Sequence, residues 1–411
     1  MNTHRLDLNF VRTQFPAFAE PSLNGHAHFE NAGGSYACAP VIRRLSEYYC
    51  RLKVQPYYGY RASSEAGEWM DAAYCRLAEY LGVTPAEVHF GPSTSQNTYV
   101  LAQAMRPLLQ QGDEIIVTNQ DHEANGGVWR RLATHGMVIR EWRVDPENGQ
   151  LDIARLDNLM TDRTRLMVFP HASNVVAHIN PVAEIAARAR AVGAITVADG
   201  VAWAPHGFPD VPALGADVYL FSLYKTYGPH QGLMVIRQHL LEQLGNEGHY
   251  FNAGDAHKRL VPAGADHAQV AAAQGIAEYF DALDAHHGGG SSSGRAQRVR
   301  ELLRAAELAL LPQLLDYLAN HKAIRLLGPC DANQRAATVS FATNFAAPSQ
   351  VASRLAQHKI MAGHGHFYAK RLVEALGLDA ASGVVRLSLV HYTTPEEMNT
   401  LIAALDTVLG S

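Results

Sequence analysis

The sequence predicts an α/β protein with a doubly wound, mostly parallel sheet and a smaller C-terminal α+β domain. Short apolar segments alternate with amphipathic segments of helical spacing, which is the pattern of strands joined by crossover helices. Polar residues suited to chemistry follow several of the apolar segments, and such sheets bind ligands at the carboxyl ends of their strands. A glycine and serine run at 288–294 then interrupts the alternation.

The alternation is clearest in the middle of the chain. Strands are predicted at 114–117, 165–169, 194–198, 218–221 and 232–236. Helices are predicted at 96–105, 151–161, 181–192, 296–311 and 395–409. We expect Pro312 to end or kink the helix at 296–311, because proline has no N–H to continue the hydrogen-bond ladder.

These segments predict two domains. Residues 31–285 form the predicted large domain, 286–295 a linker or loop, and 296–411 the small domain, against which residues 1–30 pack. With 411 residues, of which 47% are hydrophobic, the chain can bury a core of that size. The glycine and serine run contains no apolar side chain, so we interpret it as a connector, with a lid over a site as the alternative.

The charge and the apolar runs restrict the partners. The net charge of −5, from 34 basic and 39 acidic residues, is too balanced to favour nucleic acid or an anionic membrane. The amino terminus lacks the apolar core of a signal peptide, and no later apolar run approaches membrane-spanning length. We therefore expect a cytoplasmic protein that acts on a small molecule.

Cysteine and histidine give no sign of a disulfide framework or a metal. The four cysteines, at positions 38, 50, 75 and 330, are sparse and show no Cys-x-x-Cys spacing, so reduced thiols are expected. Histidine is plentiful, at 21 residues, but zinc-binding patterns are absent from the sequence. The nearest approach to a metal cluster is His364-Gly365-His366, which we interpret as incidental loop histidines, and no metal is predicted.

The most informative segment is 222–229, which reads Ser-Leu-Tyr-Lys-Thr-Tyr-Gly-Pro. It places Lys225 on a short turn after an apolar strand, and Asp199 ends an earlier strand. This pair suits pyridoxal 5'-phosphate, because the amine can hold the cofactor aldehyde as a Schiff base and the carboxylate can keep the pyridine nitrogen protonated. A surface lysine and a turn-capping aspartate are the alternatives. The pair predicts amino-acid chemistry.

Two other segments are candidates for binding anions. The hydroxyl residues at 93–95 precede the predicted helix at 96–105, and hydroxyls and free amides at a helix amino terminus bind anions such as phosphate. An ordinary helix cap uses the same geometry and remains open. Arg386 lies in an apolar, strand-like segment at 384–389, where a guanidinium is costly unless an anion pairs with it. That anion is either a substrate carboxylate or a structural salt-bridge partner.

As an ordered set, the motifs resemble those of a known family. Segment 222–229 resembles the lysine segment of the class V aminotransferase family of fold-type I pyridoxal phosphate enzymes, cysteine desulfurase-like subgroup, with Tyr224 in place of a histidine. Further matches follow in order along nearly the whole chain: Glu30-Asn31-Ala32-Gly33-Gly34, Asp121-His122-Glu123-Ala124-Asn125, Ser173-Asn174-Val175, Val385-Arg386-Leu387-Ser388 and His391-Tyr392-Thr393.

The resemblance implies a fold-type I enzyme and a homodimer with its active site near the subunit interface. It implies that His122 stacks on the cofactor ring and moves protons, and that Arg386 holds the substrate carboxylate. A loop histidine and a turn asparagine are the alternatives for His122 and Asn174. The candidate residues are Lys225 and His122 for catalysis; Lys225, Asp199, His122, Ser93, Thr94, Ser95, Asn174, Ser222, Tyr224 and His267 for the cofactor; and Arg386, Asn174, Gly33 and Gly34 for the substrate.

Three departures from the family pattern bear on the reaction. The segment at 361–370, which corresponds to the desulfurase loop with the nucleophilic cysteine, contains no cysteine. Ala202 replaces a frequent glutamine. Where many members of the family have Gly-Thr-Pro, whose threonine reaches the phosphate of the neighbouring subunit, this chain has Gly264-Ala265-Asp266-His267, and His267 could take over that contact. We therefore expect a lyase that eliminates from the β or γ carbon of an amino acid, such as a carbon–sulfur lyase. An aminotransferase, epimerase or cyclising enzyme and a non-catalytic binding protein are the alternatives.

Overall fold

The computed structural model describes residues 5–410 and confirms the predicted α/β fold. The strands in chain order are β1 (Ala27–His28), β2 (Val88–Gly91), β3 (Glu114–Thr118), β4 (Val138–Trp142), β5 (Thr164–Pro170), β6 (Ile195–Asp199), β7 (Val218–Ser222), β8 (Gly232–Ile236), β9 (Ile324–Leu327), β10 (Thr338–Thr343), β11 (Ile360–Met361), β12 (Gly363–Gly365) and β13 (Val384–Ser388).

The α-helices cover the central sheet and build the small domain. In chain order they are α1 (Leu8–Thr13), α2 (Ala39–Glu47), α3 (Arg61–Leu81), α4 (Thr94–Met105), α5 (Glu123–Arg130), α6 (Ile153–Asp157), α7 (Val182–Ala191), α8 (Val211–Leu214), α9 (Gln238–Leu241), α10 (His267–His286), α11 (Arg295–Leu308), α12 (Leu311–Asn320), α13 (Pro348–Gln357), α14 (Lys370–Ala375) and α15 (Pro395–Leu409).

A seven-stranded sheet with the order β2-β8-β7-β6-β5-β3-β4 forms the centre of the large domain. Neighbours among β3 to β7 are parallel, whereas β8 runs antiparallel to both β7 and β2. Every residue of β3, β7 and β8 is buried, which explains their continuous apolar sequences. The helices α5 to α8 connect successive parallel strands, so the carboxyl ends of these strands meet at one edge.

The small domain is built on an antiparallel sheet with the order β12-β13-β10-β9. Its core includes apolar residues of α12, α13 and α15. The amino-terminal segment packs here, since β1 pairs in parallel with β11 and Arg12 lies 3.0 Å from Glu397 at the start of α15. By contrast, Val299 and Leu303 of α11 lie in the same hydrophobic core as α3 and α10. The predicted domain boundaries stay a prediction.

Two predicted helices differ from those observed. The helix expected at 296–311 is two helices, α11 and α12, and Pro312 is the second residue of α12. Proline is tolerated there because the first N–H groups of a helix have no helical partner. The helix expected at 151–161 is limited to α6, whose amino terminus is capped by Asp152. The other predicted helices and strands are confirmed to within about two residues.

The glycine and serine run connects α10 to α11. Arg298 of α11 donates hydrogen bonds to the carbonyl oxygens of Ser291 and Ser293, at 2.7 and 2.8 Å. The same side chain pairs with Asp284 of α10, at 2.7 Å. These contacts hold the run against the two helices that it joins, which supports the connector interpretation.

Within residues 5–410, every helix is too short or too polar to cross a bilayer.

Candidate active site

The predicted chemical residues lie at one edge of the central sheet. Asp199 is the last residue of β6, and Lys225 follows β7. His122 and Asn174 follow β3 and β5. Because β3, β5, β6 and β7 are consecutive neighbours in the sheet, these four residues gather at adjacent strand ends. The structure therefore brings together the residues that the sequence placed after separate strands.

Lys225 lies in the connection between the antiparallel strands β7 and β8. This connection closes through the Leu223 N–H, which donates to the Gln231 carbonyl oxygen at 2.8 Å. The Ser35 hydroxyl donates to the Lys225 carbonyl oxygen at 2.6 Å, which ties the turn to the amino-terminal segment. The ring of Tyr224 stacks on His230, with centroids 4.7 Å apart. The backbone of the lysine turn is thus fixed on several sides.

The amine of Lys225 is tuned toward its neutral form. Burial, with a further contribution from the Arg386 charge, lowers the pKa of Lys225 to about 8, against the opposing effects of Asp199 and Glu30. A lysine that reacts as a nucleophile or a base must be deprotonated, and desolvation is how proteins achieve this near neutral pH.

We expect the reactivity of Lys225 in the apoprotein to rise as the pH increases through about 8, because only the neutral amine is nucleophilic. Brief labelling with an amine-acylating reagent between pH 6 and 10, followed by peptide mapping, measures this profile. The exposed Lys370 is the internal control for reagent activity. A labelling profile of Lys225 that does not rise until well above pH 8 would contradict the expected tuning of Lys225.

Asp199 is a buried carboxyl at the end of β6. Its Oδ1 accepts a hydrogen bond from the Val201 N–H at 2.8 Å. Burial raises the pKa of Asp199 to about 6, although the Val201 N–H and the Lys225 charge act in the opposite direction. A carboxyl in this state is stabilised as an anion by a cationic N–H group placed beside it.

His122 presents a neutral imidazole above the same edge. It caps α5, and its Nδ1 accepts a hydrogen bond from the Ala124 N–H at 3.1 Å. This bond places the proton of the neutral ring on Nε2. Burial, together with the charges of Lys225 and Arg386, lowers the pKa of His122 to about 4. At neutral pH the ring is therefore an uncharged face suited to stacking.

The amino terminus of α4 offers the predicted anion seat. Ser93 caps this helix through the Gln96 N–H at 3.1 Å. The hydroxyl oxygens of Thr94 and Ser222 lie 2.7 Å apart. Gly232 permits this approach, because a β carbon there would overlap the backbone between Ser93 and Thr94. Hydroxyls from α4 and from the end of β7 thus meet beside free helix amides.

Arg386 is buried in β13 and pairs with Glu30. Its side chain is 4% exposed, and Nη2 donates to Glu30 Oε1 at 2.6 Å. Nη1 donates to the Asn174 carbonyl oxygen at 3.2 Å, and the guanidinium lies 3.7 Å above the Phe367 ring. Among residues 5–410, Arg386 Nε and Asn174 Oδ1 are buried without hydrogen-bond partners. The structural ion pair considered from the sequence is thus present, and the Nε–H donor of the guanidinium has no partner among these residues.

Two glycines make room for the Glu30 carboxylate. A β carbon on Gly33 would overlap Glu30 Oε2, and one on Gly363 would lie 2.7 Å from Glu30 Oε1. The predicted substrate residue Gly34 lies nearby, where a β carbon would contact the Tyr224 ring at 3.6 Å. Gly33 and Gly363 therefore allow Glu30 to lie beside the guanidinium of Arg386.

Comparison with known proteins identifies the family. Residues 27–401 match the family model described as Aminotransferase class-V. The chain belongs to the class V aminotransferase family. It is 35% identical to the aminotransferase-like protein FGM3 of Gibberella zeae over the full length of both chains. It is 30% identical to a cysteine desulfurase of Serratia proteamaculans, with 97% of each chain covered. The apo cysteine desulfurase of Thermococcus onnurineus shares the fold, with a TM-score of 0.85 and 24% identity over all of both chains.

This member of the class V aminotransferase family is a pyridoxal phosphate-dependent enzyme. Its residues fit the cofactor, because the two unpartnered atoms Arg386 Nε and Asn174 Oδ1 lie in a site that also holds a lysine of lowered pKa. Lys225 would carry the aldehyde, Asp199 would face the pyridine nitrogen and His122 would cover the ring. The phosphate would lie at the amino terminus of α4, near Thr94 and Ser222. These individual roles stay predictions.

Some predicted residues lie elsewhere. His267 lines a cavity together with Tyr57, Tyr58 and Asp71, and this cavity is not lined by Lys225 or Asp199. Ser95 is exposed, and its carbonyl oxygen accepts a hydrogen bond from the Thr98 hydroxyl. Within residues 5–410, no group of three or more His, Cys, Asp or Glu residues is placed to hold a metal ion.

The sequence reasoning missed three residues of the site: Glu30, Phe367 and Tyr368. Glu30 was noted within a motif but received no role, although its position three residues before the glycine pair Gly33-Gly34 could have drawn attention to it. Phe367 and Tyr368 gave no signal, because their contacts depend on a backbone conformation that sequence patterns do not show.

Proposed function

We propose that this class V aminotransferase family member is a lyase that eliminates a group from the β or γ carbon of an amino acid. The observation that supports it best is Lys225, whose pKa is lowered to about 8 within the converging strand ends. When bound, pyridoxal phosphate supplies an electron-accepting ring that stabilises negative charge at the α carbon. The remaining requirements are to position the amino acid and to move protons.

Lys225 is the proposed proton carrier. Its amine removes the α proton and, once protonated, can return a proton to the leaving group. A pKa near the operating pH suits both directions of this transfer. In the proposed arrangement the free Nε–H of Arg386 binds the substrate carboxylate beside the Glu30 contact. Elimination needs one mobile proton carrier and one carboxylate ligand, and in the proposal Lys225 and Arg386 fill these two roles.

The proposal excludes a desulfurase reaction because the loop at 361–370 has no cysteine. The cysteine that contacts the lysine turn is Cys38, whose N–H donates to the Tyr227 carbonyl oxygen. Its thiol is fully buried, and burial raises the pKa of Cys38 to about 12. A thiol in this state does not ionise near neutral pH and is a poor nucleophile.

We expect that no protein persulfide forms when the holoenzyme is incubated with L-cysteine. Thiol trapping followed by peptide mapping measures persulfide at each of the four cysteines. A cysteine desulfurase treated in parallel is the positive control. Persulfide on Cys38 or on another cysteine, formed in step with alanine release, would contradict the exclusion of desulfurase activity.

Transamination is the second candidate, because the similar protein FGM3 carries an aminotransferase-like name. A panel of amino acids distinguishes the two reactions. Elimination releases ammonia and a keto acid in equal amounts without an added acceptor, and it also releases sulfide when the substrate is cysteine. Transamination forms a keto acid in quantity only when a second keto acid accepts the amino group. Keto acid formation that depends on an added acceptor would overturn the lyase proposal. An epimerase would release neither ammonia nor a keto acid in these assays.

A homodimer is part of the proposal. Five large aromatic side chains are at least half exposed on the segments 57–60 and 250–251: Tyr57, Tyr58, Tyr60, Tyr250 and Phe251. Tyr57 and Tyr58 line the cavity that also contains His267. Burial of this aromatic surface against a second copy would explain its exposure in one chain and would carry His267 toward the partner's site. Light scattering should give twice the chain mass. A cytoplasmic location stays a prediction.

A further inference from the structure

A strained turn lies at the mouth of the active site. Phe367 and Tyr368 are consecutive non-glycine residues with positive φ angles of 48° and 59°. Side chains with a β carbon adopt this left-handed conformation at a cost, and such strain persists only where the surroundings enforce it. Residues in such conformations cluster at functional sites.

Several contacts enforce the conformation of this turn. The Phe367 carbonyl oxygen accepts a hydrogen bond from Asn174 Nδ2 at 2.8 Å. The Tyr368 carbonyl oxygen accepts one from the Glu123 N–H at 2.8 Å. The Phe367 ring lies under the guanidinium of Arg386, 3.7 Å from its central carbon. The turn is therefore anchored to three segments that carry predicted cofactor and substrate residues.

The anchored turn places the Tyr368 ring beside His122. Tyr368 is 68% exposed. Its ring centroid lies 5.1 Å from that of His122, and the two ring planes are tilted by 35°. A large aromatic ring gains by burial, so a ligand that covers the Tyr368 ring would be stabilised by that contact. Because the Tyr368 ring lies beside His122, which is predicted to cover the cofactor, the ligand in question is the amino-acid substrate.

We propose that Tyr368 determines substrate specificity, with its ring as the wall against which the side chain of the amino-acid substrate packs. The preferred substrates have an extended side chain with apolar surface beyond the β carbon, whereas glycine is too short to reach the ring. This inference rests on the proposed function, because it assumes that an amino acid binds between His122 and Arg386. The contact is with the ring face, so the phenolic hydroxyl is dispensable.

The test compares the binding of L-norleucine and glycine to the holoenzyme. Norleucine has an extended apolar side chain and no leaving group, so its binding is read from the cofactor absorbance without elimination. In wild type, norleucine should bind more tightly than glycine. Tyr368→Ala should reduce this preference by about tenfold, since it removes most of the apolar contact area. Tyr368→Phe should retain it.

Phe345→Ala is the matched control, because Phe345 is an exposed aromatic residue on a loop of the small domain. It should leave the preference unchanged. The role of Tyr368 would be overturned if Tyr368→Ala lost affinity equally for both ligands or lost none. It would also be overturned if the wild type showed no preference for norleucine over glycine. If neither ligand changes the wild-type spectrum, the role of Tyr368 is likewise overturned, whereas the proposed function is judged by the product assays with the panel of amino acids.

The strain provides a second measurement, which needs neither cofactor nor activity. Tyr368→Gly and Tyr368→Ala remove the same ring, but only glycine accepts a positive φ angle without cost. The apoprotein of Tyr368→Gly should therefore unfold at a higher temperature than that of Tyr368→Ala. An equal or lower unfolding temperature for the glycine variant would remove strain as a premise of the inference.

Discussion

Lys225→Ala is expected to abolish the covalent retention of pyridoxal phosphate and to lower turnover by at least about a thousandfold, because the variant loses both the attachment point and the proton carrier. The reason lies in the structure: Lys225 is the lysine at the converging strand ends, and burial lowers its pKa to about 8. Borohydride reduction of the wild-type holoenzyme followed by peptide mass mapping should place the label on Lys225.

Lys370→Ala is the matched control for this experiment. Lys370 begins α14 immediately after the turn that contains Tyr368, but its side chain is exposed and lies 3.6 Å from Glu374. This variant should retain the covalent cofactor and the turnover of the wild type. A reduced cofactor found on another lysine in wild type would show that the assignment of Lys225 is wrong.

Arg386→Ala is expected to weaken amino-acid binding by about 2 to 5 kcal/mol, the range for removing one partner of a buried charge pair. It should leave cofactor binding nearly intact, since the proposed phosphate and ring contacts come from other residues. Arg386→Lys should recover part of the affinity, because an ammonium lacks the planar fork of a guanidinium. Titration with an amino acid, followed by the cofactor absorbance, measures the amino-acid affinity of the wild type and of both variants.

Glu30→Gln separates the two possible roles of Arg386. In the structure Glu30 holds one guanidinium donor, at 2.6 Å, while Nε is free. If Arg386 binds the substrate carboxylate, Glu30→Gln removes a competing anion and should maintain or increase affinity, in contrast to Arg386→Ala. If Arg386 only pairs with Glu30, both variants should lower the unfolding temperature and neither should change affinity. That second pattern would remove Arg386 from the substrate site.

The sequence by itself determined the architecture and the chemical residues that follow single strands. Periodicity located the strands β3, β5, β6, β7 and β8, because each is a short apolar run flanked by polar or glycine residues. Lys225 and Asp199 were found for the same reason, since both lie at the ends of such runs. A parallel sheet with short crossovers then leaves little freedom in where these ends meet.

Only the tertiary structure decided which partners these residues have. The Glu30 contact of Arg386 joins positions 356 residues apart. Nothing in the local pattern of β13 shows whether Arg386 pairs with another residue or is free to bind a substrate carboxylate. The turn of Phe367 and Tyr368 depends on positive φ angles and on contacts from Asn174 and Glu123. Sequence patterns report local conformational preference and burial, whereas contacts between distant segments, and the strain that they enforce, exist only after the chain has packed.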